Sequence, residues 1–179
     1  SAELPETGER FLGVLPPVVR SRTAERLNIV VAGGTSTGKT TLANALLDEI
    51  ADTGDRVLIL EDTVELQCRS DDHVGMRSEP GVTTMADLVR ATLRLRPDRI
   101  VVGEVRGAEA LDLLKAWGTG HPGGIATVHA GSARGALTRL EQLVQEVSVT
   151  VPRALIEEAV NVIVFIAGRG RGRARRVRE

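Results

Sequence analysis

The run LNIVVA-GGTSTGKT-TLANALLDEIA, from Leu27 to Ala51, constrains the chain more than any other stretch. An apolar segment is followed by G-x-x-x-x-G-K-[ST] and then by a helical pattern, which is the context a phosphate-binding loop requires. Glycines let successive backbone N–H groups face inward around phosphate oxygens, and the helix that follows points its positive dipole end at them. Gly33, Gly34, Thr35, Ser36, Thr37, Gly38, Lys39, Thr40 and Thr41 are therefore the expected nucleotide-binding residues. Lys39 reaches the β- and γ-phosphates, and the Thr40 hydroxyl is a ligand for Mg²⁺. Lys39 also stands out by composition, because the only other lysine is Lys115 and every remaining basic residue is arginine.

A loop of this kind sits at the carboxyl edge of a mostly parallel sheet, and the rest of the chain supplies one. LNIVVA (27–32), RVLILE (56–61), RIVVGE (99–104) and IATVH (125–129) are short apolar runs separated by helical patterns, which predicts strands buried on both faces. VGMR (74–77) reads as a short edge strand. Helices are expected over 40–51, over 85–96 behind a Thr84/Asp87 cap, over 108–117 up to Gly118, from Ser132 to Val147, and over 152–160. The fold class is α/β, a doubly wound sheet flanked by helices. Val, Leu, Ile and Ala must build its core, since the chain has one Trp, two Phe and no Tyr.

Ligands of such sheets bind at the carboxyl ends of the strands. Glu61 and Glu104 end two of them, placed to hold Mg²⁺ or to orient and deprotonate a water. The usual metal partner at the second position is an aspartate. Glutamate reaches one methylene further, which suits activation of water and points to hydrolysis. His129 ends a fourth strand and faces the same crevice. His121 lies in the loop before that strand, in TGHPGG. Both imidazoles are expected near the γ-phosphate, where they would register whether it is present.

The ends of the chain differ from its middle. Residues 1–26 carry Pro16-Pro17 and little periodicity, and read as a linker or the remnant of a preceding domain. Residues 27–179 are expected to form one P-loop domain. The last twelve residues, GRGRGRARRVRE, hold six arginines against one glutamate. NVIVFIAG, a Gly/Arg turn and ARRVRE predict a closing hairpin, although a basic terminus can also contact anionic lipid. The single cysteine, Cys68, excludes a disulfide framework. No apolar run approaches the roughly 18 residues that cross a bilayer, so a cytoplasmic place is expected.

Four blocks in order, GGTSTGKT, LILEDTVELQ, RLRPDRIVVGEVRGAEALDLL and TGHPGGIATVHAGS, resemble the Walker A, Asp box, Walker B and His box of the type II/IV secretion-system ATPases. DLLKAWGTGHPGG and HAGSARGALTRLEQLVQE are most similar to the conjugative-transfer group of the TrbB kind. The resemblance implies a RecA-like P-loop domain that hydrolyses ATP with Mg²⁺, as part of a homo-oligomeric ring, a hexamer. It implies partners among inner-membrane secretion or pilus components, a place at the cytoplasmic face of that membrane, and no direct nucleic-acid contact. Lys39, Glu104, Glu61 and His129 become catalytic residues, Thr40 and Glu104 the metal pair, and Arg106 and His121 nucleotide contacts. It further implies a domain ahead of the P-loop domain, whose end GERFLGVLPPVV resembles. Two rivals are less well served by the residues. A small-molecule kinase needs an arginine-bearing lid that no segment spells, and a nucleic-acid motor needs aromatic stacking platforms.

Overall fold

The structure is a computed structural model that describes residues 2–3, 10–11, 25–150, 152–167 and 176–178. Its centre is one sheet in the order β5-β4-β6-β7-β3-β8-β9. The strands are β3 (Ile29–Gly33), β4 (Val57–Glu61), β5 (His73–Arg77), β6 (Arg99–Val102), β7 (Ile125–His129), β8 (Val162–Ala167) and β9 (Arg176–Arg178). Six of them are parallel, and β9 runs antiparallel to β8 at one edge. Two short strands, β1 (Ala2–Glu3) and β2 (Arg10–Phe11), pair with each other in a separate antiparallel ladder. The return strand expected at the C-terminus is therefore present, while its Gly/Arg turn and most of the expected 1–26 segment lie outside the described residues.

Alternation along the buried strands divides the interior into two layers. On one face Val30, Ala32, Leu60, Ile100, Val102, Ala126 and Val128 meet four helices: α2 (Met85–Thr92), α3 (Glu109–Gly118), α4 (Ala133–Gln145) and α5 (Arg153–Ala159). On the other face Ile29, Val31, Val57, Ile59, Val101 and Ile125 meet α1 (Lys39–Glu49) through Leu42, Ala43, Leu46 and Leu47. Helix α2 begins with the capping box expected from sequence, Thr84 accepting from the Asp87 amide and Asp87 from the Thr84 amide. Ser132 caps α4 through the Gly135 amide. Helix α2 stops at Thr92, before the Arg96 boundary that sequence suggested, because Leu93–Leu95 tighten into a turn ahead of Pro97.

The amino edge of the sheet is held by a buried ion-pair knot. Arg99, 1% exposed, donates from Nε to Asp55 Oδ2 at 2.6 Å and from Nη1 to the Gly123 carbonyl at 3.2 Å. Arg26 pairs with the other oxygen of Asp55. Burial pushes the Asp55 carboxyl up, but hydrogen bonding and charge from Arg99, with help from Arg26, hold it below its ordinary value. A carboxylate depressed in the folded state stabilises the fold above its unfolded value, and that stability fades as pH falls through the folded one. Asp55→Ala, which takes the carboxylate away from the buried Arg99 guanidinium, should cost about 3–5 kcal/mol at neutral pH. In urea titrations from pH 7 down to pH 3 the variant should lack the acid loss contributed by this carboxylate. An unchanged acid limb would contradict the assignment.

Candidate active site

Four adjacent strands deliver the site. Reading across the carboxyl edge, β4 ends in Glu61, β6 leads through Gly103 to Glu104, β7 ends in His129 and β3 opens into the glycine loop. Gly33 is in register with His129. Strands are about 4.8 Å apart, so this row spans roughly 15 Å, enough for a triphosphate.

The loop is shaped as its sequence demands. Ser36 has φ 57° and Gly38 φ 99°, left-handed conformations that turn backbone amides inward. A Cβ at Gly33 would come within 2.5 Å of the Thr37 hydroxyl and 3.0 Å of the Ile166 carbonyl, so the first glycine is required by packing. Thr37 is buried and donates to the Gly34 carbonyl at 3.0 Å. Thr35, Ser36, Lys39 and Thr40 line an open cavity of about 330 Å³, together with Glu61, Asp62, Glu65, Glu104, Arg106 and His129.

Within that cavity the charges interlock. Lys39 Nζ donates to the Gly34 carbonyl at 2.8 Å and lies 3.4 Å from His129 Nε2. Burial pushes the Lys39 pKa below its usual value, with the nearby Glu104 charge opposing. His129 Nε2 is in turn 2.6 Å from Glu104 Oε1. One imidazole nitrogen cannot serve both neighbours: protonated it faces Glu104, unprotonated it can accept from Lys39. The other Glu104 oxygen pairs with Arg106, whose Nη1 is 3.5 Å from Asp62 Oδ2. Glu104 Oε1 is buried, and the His129 imidazole is its near neighbour.

Two expectations change. His121 is not brought to the cleft. Its Nδ1 donates to the Pro97 carbonyl at 3.0 Å, and both residues precede strands, at the amino edge. The five residues of β7, at about 3.3 Å each, separate it from His129. Glu61 does line the cleft, but its Oε1 accepts from the Glu65 and Leu66 amides at 2.9 and 2.8 Å. It organises the loop after β4, and Gly103 makes room for it, since a Cβ there would lie 3.1 Å from Glu61 Cγ.

That loop carries a residue the strand-end argument passes over. Glu65 Oε2 accepts from the Thr40 hydroxyl at 3.0 Å, so a carboxylate stands at the expected metal ligand. Glu65 lies four residues beyond a strand end, in reach only because Glu61 folds the loop back. No cluster of three or more His, Cys, Asp or Glu able to hold a metal occurs among the described residues. The ligand groups present, the Thr40 hydroxyl and the Glu65 and Glu104 carboxylates, all offer oxygen, which fits Mg²⁺ sharing its ligands with phosphates.

A model of the type II/IV secretion system protein family matches residues 17–167. The chain belongs to that family. It is 46% identical to "Conjugal transfer protein TrbB" of Rhizobium radiobacter and 47% to "Probable conjugal transfer protein TrbB" of Sinorhizobium fredii. The whole chain is covered in both comparisons, and it spans 66% and 65% of those two proteins. The VirB11 ATPase of the Brucella suis type IV secretion system superposes with a TM-score of 0.82 at 35% identity, over 90% of this chain and 49% of that one. The pilus retraction motor PilT with bound ADP gives 0.69 at 26% identity, over 91% and 49%. The fold is the RecA-like P-loop fold of these secretion ATPases.

Removing the Glu61 carboxylate should loosen the loop without unfolding the sheet. In Glu61→Ala the buried Leu66 amide and the part-buried Glu65 amide lose their acceptor, worth about 1–3 kcal/mol. Amide hydrogen exchange at Glu65 and Leu66 should accelerate while β4 stays protected. Unchanged exchange there would show that Glu61 does not hold the loop.

Proposed function

We propose that this chain is the ATP-hydrolysing domain of a type IV secretion or conjugative-transfer motor. The observation that carries the proposal is the convergence of Lys39, His129 and Glu104 at one end of the phosphate-binding loop, in unbroken contact distance. The names of the relatives and of the VirB11 structure favour the type IV system over a pilus motor, whose structural likeness is weaker.

In this reading the amides of residues 33–41 and the Lys39 ammonium hold the β- and γ-phosphates. Thr40 would hold Mg²⁺, with Glu65 and Glu104 beside it, and a bound ion would supply charge neutralisation to the phosphates. Glu104 orients a water and accepts its proton as the water oxygen bonds to the γ-phosphorus. The bond from that phosphorus to the β–γ bridging oxygen breaks, leaving ADP and phosphate. His129 steadies Glu104 and responds to Lys39: once Lys39 turns to phosphate, the imidazole nitrogen is released to Glu104 alone. His121 has no part in it.

The exposed cleft leaves one side open to solvent, so a second copy is the natural source of further phosphate contacts. A homo-oligomeric ring, a hexamer, at the cytoplasmic face of the inner membrane and docked on secretion components, follows from this family reading. Nucleic acid is not contacted directly, while peripheral membrane contact is compatible with the fold. No helix among the described residues is long and apolar enough to cross a membrane.

Phosphate release from ATP tests the chemistry. Lys39→Ala and chelation of Mg²⁺ should each silence it. Glu104→Gln should keep ATP binding and lower the turnover rate by about 10²–10⁴. Transfer of the phosphoryl group to an acceptor other than water, or normal turnover by Glu104→Gln, would overturn the assignment.

A further inference from the structure

Glu109 is a buried carboxylate, 7% exposed, that the chemistry above does not use. It is the first residue of α3, where an acidic side chain ordinarily serves the helix's own unpaired amides. It does not do so here. Its Oε1 turns back and accepts from the Arg106 amide at 2.6 Å and the Gly107 amide at 2.9 Å, while the cap residue, Ala108, offers no side-chain acceptor. Burying a carboxylate is costly unless its hydrogen bonds repay the lost hydration. These go to fixing two peptide groups of the segment that carries Arg106.

The Arg106 side chain has the opposite character. It is exposed, reaches out from this fixed backbone, and spans Glu104 and Asp62. Both partners line the cleft beside Lys39 and Thr40. A guanidinium held there by carboxylates, on a pinned backbone, can exchange them for two oxygens of a phosphate by side-chain rotation, because its fork geometry suits carboxylate and phosphate alike. The exchange also releases Glu104 Oε2, so the group proposed to accept the water proton is freed as the γ-phosphate arrives.

We propose that Glu109 is a positioning residue: it pins the Arg106 backbone so that the guanidinium moves between Glu104 and Asp62 in the empty cleft and the γ-phosphate in the filled one. Lys39 and the loop amides hold the β-phosphate without it. Arg106 thus tells a triphosphate from a diphosphate, and Glu109 makes that discrimination sharp. The inference rests on the nucleotide-binding reading of the cleft.

Equilibrium binding of Mg·ADP and of a non-hydrolysable Mg·ATP analogue, compared in the full chain, tests it. Arg106→Ala and Glu109→Ala should each weaken the ATP analogue by about tenfold to a hundredfold, the worth of a charge-assisted hydrogen bond, and leave ADP unchanged. Glu109→Gln keeps an oxygen acceptor for both amides and should restore the discrimination. The double variant should be no worse than Arg106→Ala alone. Equal losses for both nucleotides in Glu109→Ala would mean that it only supports the fold, and full additivity would mean that it does not act through Arg106. Either result overturns the proposal. Absence of any nucleotide binding by the unaltered chain would instead remove the reading beneath it.

Discussion

Everything in the cleft depends on the parallel pairing of β3 with β7. Gly33 sits opposite His129 in that ladder, so the start of the phosphate-binding loop and the imidazole are fixed against each other by backbone hydrogen bonds rather than by side-chain packing. β6 follows on the far side of β7, and Thr127 locks the two ends together. Its hydroxyl donates to the Gly103 carbonyl at 2.7 Å, and its own carbonyl accepts from the Val105 amide at 2.9 Å. Glu104 lies between those two anchors. The placement of Glu104 and His129 is thus a property of the sheet, and side-chain freedom enters only beyond the strand ends.

Beyond the ends, charge takes over. Glu104 is flanked by His129 on one oxygen and Arg106 on the other, with Lys39 close behind. Thr40 is met by Glu65. Each group that a Mg²⁺–triphosphate would engage is thus paired internally with a partner of matching chemistry. Such pairing keeps partly buried charges from standing alone, and it makes nucleotide entry an exchange of partners. The loops that carry these partners are themselves held by buried carboxylates, Glu61 after β4 and Glu109 after β6.

Much of this was readable in the sequence because it follows local rules. The loop motif, the apolar strands, the Thr84 and Ser132 caps and the strand-end positions of Glu104 and His129 all depend on residue order and a known edge of the sheet. The same rule places His121 away from the cleft, since a residue that precedes a strand lies at the amino edge. Its glycine-rich surroundings drew attention to the wrong end of β7. Glu61 obeyed the strand-end rule, yet its carboxylate is turned to two amides by a loop whose course no periodicity encodes. Glu65, Glu109 and the Arg99–Asp55 knot stayed hidden for a related reason. Their roles come from pairings 25, 3 and 44 residues apart, and an acidic residue in a loop or a helix start looks the same in sequence whether solvated or buried.

A crystal structure with Mg²⁺ and a non-hydrolysable ATP analogue would decide whether nucleotide entry is an exchange of partners at Lys39 and Thr40. The expected complex has a triphosphate along residues 33–41, Lys39 Nζ moved from the Gly34 carbonyl to phosphate oxygens, and the Thr40 hydroxyl on the metal with its Glu65 contact broken. His129 would remain beside Glu104. A nucleotide bound elsewhere, or one bound in the cleft with the Lys39–Gly34 and Thr40–Glu65 contacts intact, would contradict it.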